Sequence, residues 1–228
     1  NYLQRINQTS LLIYQNPTNN NSLYKIIESG DIQFVNEQEL YNSLQIMANS
    51  LAEVSQIYLY VARADISYRF AYNLPRNSEG PTYVPKFADQ EDIMIEPAHL
   101  SHTYGIAKFP YEQPERVITL HRKILNQPTD RILGTLSIDI ATQMIEEISR
   151  TLYTPGDEQL YLLNQVGEVI YGSEELPETE STYAWVEQVL NTEAASGDYE
   201  YHDDEFDGIH LYHKLATPFA EWILVKRV

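Results

Sequence analysis

Six histidines and an excess of carboxylates are the side chains with most chemistry to offer in this 228-residue chain. His99 and His102 are three apart, as are His210 and His213. On a helix the first pair would share a face and could grip zinc; on a strand the second pair points to opposite sides. No third ligand stands at a suitable spacing, and two histidines leave a zinc shell incomplete, so no metal is expected. Asp203, Glu205, Asp207 and Gly208 imitate the start of a calcium loop, but Lys214 stands where that loop needs its bidentate glutamate. Those carboxylates read as a solvated hairpin tip. Ser101 beside His102 has no G-x-S-x-G elbow to expose it, and no glycine-rich phosphate loop is present. Carboxylate pairs are too common in so acidic a chain to signal glycosidase chemistry. No catalytic residue and no cofactor is assigned.

The overall composition narrows the partners. Fifteen basic residues against 33 acidic ones give a net charge of −18, which repels phosphate backbones and argues against nucleic acid. There is no cysteine, so disulfides and thiolate chemistry are excluded. No apolar run approaches the ~18 residues that cross a bilayer, and no charged-then-apolar leader opens the chain. A start at Asn1 and a stop just after a hydrophobic strand create the expectation of a piece cut from a longer protein.

Positioning elements follow from periodicity. Residues 1–30 read as a helical stalk interrupted at Pro17 and Asn19 to Asn21, with Gly30 as its C-cap. Leu40, Leu44, Met47, Leu51 and Val54 predict a helix over 37–54, opened by a capping box of Asn36 and Glu39. Ile57, Leu59 and Val61 alternate with Tyr58 and Tyr60, as a half-buried strand requires, and a second strand is expected over 67–72. Residues 74–115 hold six of the eleven prolines and lose all regular pattern; they predict a packed, mostly irregular wall with short helices. Strands are expected over 117–124 and 131–140, the second with Gly134 as a bulge or close approach and with Ile132, Leu136, Ile138 and Ile140 on one side. From Ala141 the spacing of Met144, Ile145 and Ile148 turns helical, closing one unit and opening the next. Beyond it, hairpins about Gln165 to Gly167 and Asp207-Gly208, a helix around Trp185 capped by Ser181 or Thr182, and a last strand at 222–225 make a small second sheet.

Alternation also proposes a site. If the apolar sides of these strands face the helices, then Tyr58, Tyr60, Thr119, His121, Lys123, Thr135, Ser137 and Asp139 share the other face. The proline-bearing wall, carrying Tyr83, His102 and Tyr104, would cover that face and leave a cavity of hydroxyls, aromatics and a few charges. Such a lining suits a small polar ligand.

Four stretches resemble the extracellular double-Cache sensor domain of sensor histidine kinases, particularly the Gram-positive YesM type: VITLHRKI at 117–124, LGTLSIDI at 133–140, LYLLNQVGEVIYG at 160–172 and EWILV at 221–225. The resemblance implies an α+β fold: a long N-terminal helix, then two tandem PAS-like (Cache) domains, each an antiparallel sheet with flanking helices. It implies a stalk at 1–30, a membrane-distal ligand-sensing domain at 31–150 and a smaller membrane-proximal domain at 151–228. It also implies transmembrane helices flanking this chain, a kinase beyond them, an extracellular setting, and a homodimer through the N-terminal helix. The amino-acid-binding subgroup carries Arg-x-Trp-Tyr; here Arg69-Phe70-Ala71-Tyr72 lacks the tryptophan, while Asp139 stands where that subgroup has its ligand-binding aspartate. Sugars, amino acids and carboxylates therefore stay open as ligands. The alternatives are a chemoreceptor or diguanylate cyclase ectodomain, or a secreted solute-binding protein.

Overall fold

The computed structural model describes residues 2–15, 22–88, 90–174, 176, 183–202, 206–216 and 220–228, without the side chains of residues 2 and 3. The helix breaker at Pro17 and Asn19 to Asn21, the cap at Ser181 or Thr182, and Asp203 and Glu205 lie outside these residues. The chain divides into two compact units, Asn1–Ala141 and Thr142–Val228.

The first unit is a six-stranded antiparallel sheet of β1 (Val54–Val61), β2 (Ile66–Ala71), β3 (Leu74–Glu79), β4 (Ile93–Leu100), β5 (Arg116–Asn126) and β6 (Arg131–Ala141), in the order β3-β2-β1-β6-β5-β4. Register sorts its side chains as alternation requires. Ile57 pairs with Ile138, Leu59 with Leu136 and Leu120 with Ile138, and all of these are buried. Against that apolar face lie α1 (Tyr2–Leu11), α2 (Leu23–Ser29) and α3 (Phe34–Ala48), which bury Ile6, Ile26, Ile27, Leu40, Leu44 and Met47. Where one long N-terminal helix was expected, the described residues form α1, a 3-10 turn at Leu12–Tyr14 and α2. Arg122 of β5 faces α1, and its guanidinium donates to Ser10 Oγ and to Asn7.

Three expectations fail for physical reasons. The span 74–115 is irregular over 80–88, 90–92 and 101–115 as expected, but in place of short helices it supplies β3 and β4, the two edge strands. Proline is confined to sheet edges because it cannot donate to a ladder, and here Pro75 lies opposite Phe70 while Pro97 falls inside the register shift between Glu96 and His99. The helix predicted over 37–54 runs from Phe34 to Ala48; Asn36 makes no capping box but donates from Nδ2 to the Asp31 carbonyl, and Leu51 is buried in the turn that follows. Ile132 is half exposed and Leu133 buried, because β5 and β6 shift register between Ile124 and Leu125 and invert the alternation there. Gly134 is indeed a close approach: a Cβ on it would lie 2.0 Å from the Tyr60 carbonyl oxygen.

The second unit follows α4 (Gln143–Ser149) with β7 (Gln159–Asn164), β8 (Val169–Gly172), α5 (Ala184–Asn191), β9 (Ser196–His202), β10 (Asp207–Ala216) and β11 (Glu221–Arg227). Its antiparallel order is β8-β7-β11-β10-β9, the second-first-fifth-fourth-third order of a PAS-like sheet. Tyr161, Leu163, Trp185, Val186, Val189, Tyr212, Ile223 and Val225 form its core. Asp207 and Gly208 are not the turn expected but the first residues of β10, paired with His202 and Tyr201. His210 is buried and His213 exposed, on opposite sides of that strand.

Candidate ligand site

β1, β5 and β6 set the polar face because their even-and-odd patterns are in phase: Tyr58 lies opposite Ser137, Thr119 opposite Asp139 and His121 opposite Ser137. β2 adds Arg69 beside Tyr58, and β4 adds Glu96 beside Thr119. At the centre Asp139 is fully buried, and its carboxylate accepts from Tyr104 Oη, from Thr119 Oγ1 at 2.7 Å and from Gln56 Nε2. Gln56 Nε2 also reaches the His102 carbonyl at 2.7 Å, and its Oε1 accepts from Arg69 Nε at 2.7 Å. Arg69, itself buried, forms a two-pronged ion pair with Glu112. A buried anion and a buried cation thus share one amide as intermediary.

The chain on either side of β4 closes over this network. Tyr58 and Tyr104 stack with ring centroids 4.9 Å apart, and Tyr83 meets Tyr104 edge-on at 4.9 Å. Tyr104 holds φ at +54 and is followed by Gly105 at +72, a left-handed pair that aims the phenol inward. A bulky residue persists in that region only where its surroundings over-determine it. Burial, then the Asp139 charge, pushes the Tyr104 phenol well above its ordinary value, so it stays a donor. The Tyr83 phenol is pushed up to about 12 by burial and by Glu96 and Asp139.

Toward the β4 edge, His121 holds the Glu96 carboxylate. His121 Nε2 lies 3.0 Å from Glu96 Oε2, and its Nδ1 lies 2.8 Å from Ser137 Oγ. The His121 hydrogen bond, against burial and with help from His99 and His102, brings the Glu96 carboxyl down to about 2.

Of the eleven residues that alternation and the covering span named, Tyr58, Tyr83, His102, Tyr104, Thr119, His121, Ser137 and Asp139 meet in this one network. Tyr60, Lys123 and Thr135 stand apart from its centre: the Tyr60 hydroxyl turns to Asp65, Lys123 bonds the Glu91 carbonyl and sits over the Phe87 ring, and Thr135, paired with both, has its hydroxyl buried with no partner among the described residues. Gln56, Glu96 and Glu112 were not named, and Arg69 only as the start of Arg69-Phe70-Ala71-Tyr72, the incomplete counterpart of the amino-acid-binding motif. Gln56 occupies an alternate position of β1 with Tyr58, the signal that could have found it. Beside the network, Ser55, Gln56, Arg69, Ala71, Tyr72, Ser101, Glu112 and Glu115 line a solvent-open hollow of about 190 Å³. Most of that volume is open solvent, and the enclosed room is about that of a single water molecule, far short of a small-molecule pocket. Among the described residues Ser55 Oγ is buried there with no hydrogen-bond partner.

No known family profile and no curated protein matches the chain. Solved structures do. The domain of a sensory box/GGDEF family protein from Vibrio parahaemolyticus shares 14% identity at a TM-score of 0.59, over 99% of this chain and 89% of that one. The extracellular domain of a protein described as histidine kinase vpHK1S-Z8 shares 14% identity at 0.57, over 99% and 84%. The periplasmic sensory domain of the Campylobacter jejuni chemoreceptor Tlp1 shares 11% at 0.55, over 100% and 85%. At these identities the likeness shows a shared fold and no more.

Proposed function

We infer that this chain is the extracellular sensing domain of a membrane receptor, and that its first unit binds a small polar molecule. The segment has no catalytic task; the fold it shares occurs in the extracellular domain of a histidine kinase and in the periplasmic sensory domain of a chemoreceptor. A YesM-type histidine kinase is our first reading of the parent chain. A chemoreceptor or a diguanylate cyclase is the second, favoured by likenesses of the same strength.

The observation that carries the reading is the Asp139–Gln56–Arg69 relay. Buried charges are costly unless paired, and here the partners come from the covering chain: Tyr104 on the anion and Glu112 on the cation. A ligand with a donor at one end and a carboxylate at the other would replace both partners and lift the cover. An amino acid meets that requirement most directly; a simple carboxylate or a sugar meets half of it. Shifting such an equilibrium tenfold needs about 1.4 kcal/mol of differential binding, which two or three hydrogen bonds made in one arrangement supply.

A thermal-shift screen of amino acids, carboxylates and sugars, run with chelator present, tests this. Stabilisation by one class that disappears in Asp139→Asn, in a variant that still melts cooperatively, is the expected result. A ligand response left intact in Asp139→Asn rules the site out.

A further inference from the structure

The strand β4 carries Glu96, Pro97, Ala98 and His99, and His102 follows just past its end at Leu100. In a regular strand Glu96 and His99 would point to opposite faces, since side chains alternate. They do not here, because Pro97 cannot donate and the ladder shifts: Glu96 lies opposite Thr119 and His99 opposite Val117, with two residues facing one between them. That bulge turns His99 onto the face of Glu96, a use bulges often serve beside functional sites. The His99 and His102 rings then stack at 4.6 Å.

The donor atoms converge. His99 Nε2 lies 3.5 Å from Glu96 Oε2 and His102 Nε2 lies 3.6 Å from Glu96 Oε1, and one ligand atom from each residue falls within 4.8 Å of the others. Two ligands about 2.05 Å from a tetrahedral ion stand about 3.3 Å apart, so the two measured separations are close to a metal shell before any adjustment. The surroundings match as well. His99 Nδ1 lies 2.8 Å from the Leu100 carbonyl, an outer acceptor of the kind that orients a ligating imidazole, and its Nε2 lies 3.0 Å from Thr119 Oγ1, a contact that an ion would replace. His121 Nε2 bonds Glu96 Oε2 from behind, as outer partners orient a ligating carboxylate. His102 Nε2 is buried and has no hydrogen-bond partner among the described residues.

We propose that Glu96, His99 and His102 bind a zinc-class divalent transition ion, with His121 positioning Glu96. Two imidazoles and one carboxylate form a three-ligand set that suits zinc, and solvent at the part-exposed edge supplies the fourth place. The bulge supplies the third ligand that the spacing of the two histidines lacked. Through the His102 carbonyl the ion would also touch Gln56 and hence the Asp139–Arg69 relay. The site stands independently of the small-molecule reading.

The test is calorimetric titration of the chelator-stripped, dialysed domain with zinc chloride, with elemental analysis for stoichiometry and cobalt(II) as a spectroscopic probe. One ion per chain, visible bands of tetrahedral cobalt, and at least a tenfold loss of affinity in both His99→Ala and His102→Ala are expected. His213→Ala, on the exposed side of β10, should bind as the parent does. His102 is part-exposed, so its variant should fold, and a cooperative melt checks this; should His99→Ala fail to fold, His102→Ala and the cobalt spectrum decide. Absence of saturable binding, an affinity unmoved in His102→Ala, or a loss equal in His213→Ala would each overturn the site.

Discussion

Glu112 shows how one side chain can be placed between a structural and a signalling role. Burial pushes its carboxyl up, but the hydrogen bonds from Arg69 and the Phe109 amide, with the charges of Arg69 and Lys108, outweigh that and leave it below the ordinary value. Its pair with Arg69 is 8% exposed on one side and 1% on the other, so losing the charge strands a buried guanidinium. Breaking such a pair costs roughly 3 kcal/mol or more. A folded-state value below the unfolded one means that the contribution is complete above the unfolded carboxyl range, about 4.3, and fades as the pH falls through the folded value. Glu112→Gln should therefore be destabilised relative to the parent at pH 7, with the gap narrowing below about pH 4, read by urea denaturation at each pH. Tyr104→Phe probes the other end of the relay. Removing the phenol takes one of three donors from a buried carboxylate, at about 1–3 kcal/mol. If the cover must move for a ligand to enter, the same substitution should tighten ligand binding while lowering the melting temperature. A loss of both would make Tyr104 part of the binding surface instead. Asp139, Thr119 and His121 were legible in the sequence because their strands alternate cleanly, and Arg69 through the incomplete Arg-x-Trp-Tyr match; Gln56 was hidden because a lone Gln on a strand is usually a solvated edge. Glu112 was hidden because its place depends on how an irregular segment folds back.

Strands and helices carry the next set of consequences. The seam between β1 and β6 depends on Gly134, where any Cβ would collide with the Tyr60 carbonyl at 2.0 Å. The obstacle is backbone, so no rotamer relieves it. Gly134→Ala should cost about 3 kcal/mol or more and lower the denaturation midpoint. The tether between β5 and α1 rests on Arg122, whose buried guanidinium reaches Ser10 and Asn7. Arg122→Met keeps the apolar stem and removes the donors, so amide exchange should quicken in α1 more than in β5. Uniform quickening across the sheet would mean that the residue supports the whole unit. The central strands were foreseen because their apolar faces repeat every second residue. β3 and β4 were not, since an edge strand can be polar, half-buried and broken by proline and still complete a ladder. The inversion at Leu133 was likewise invisible: a bulge moves one residue between faces without altering the sequence pattern around it.

At the scale of the molecule, the division at Ala141 cuts the RILGTLSIDIATQMIEEI stretch between β6 and α4. Each unit has an antiparallel sheet of its own, and the second encloses Trp185, Tyr161 and Tyr212 without drawing on β1 to β6. Small sheets with a single helix sit near the lower size limit at which a core sustains itself. Residues 142–228 produced alone should nevertheless melt cooperatively by circular dichroism, because every strand in that sheet finds its neighbours within the fragment. Residues 1–141 should keep the whole Asp139–Arg69 relay and therefore retain any ligand-induced rise in melting temperature shown by the full chain. The outcome allocates labour between the units. A ligand response confined to 1–141 supports the sensing role proposed for the first unit. A response confined to 142–228 would move sensing to the buried His210 and Arg227, which bond each other at 2.9 Å, and would end the assignment of sensing to the first unit.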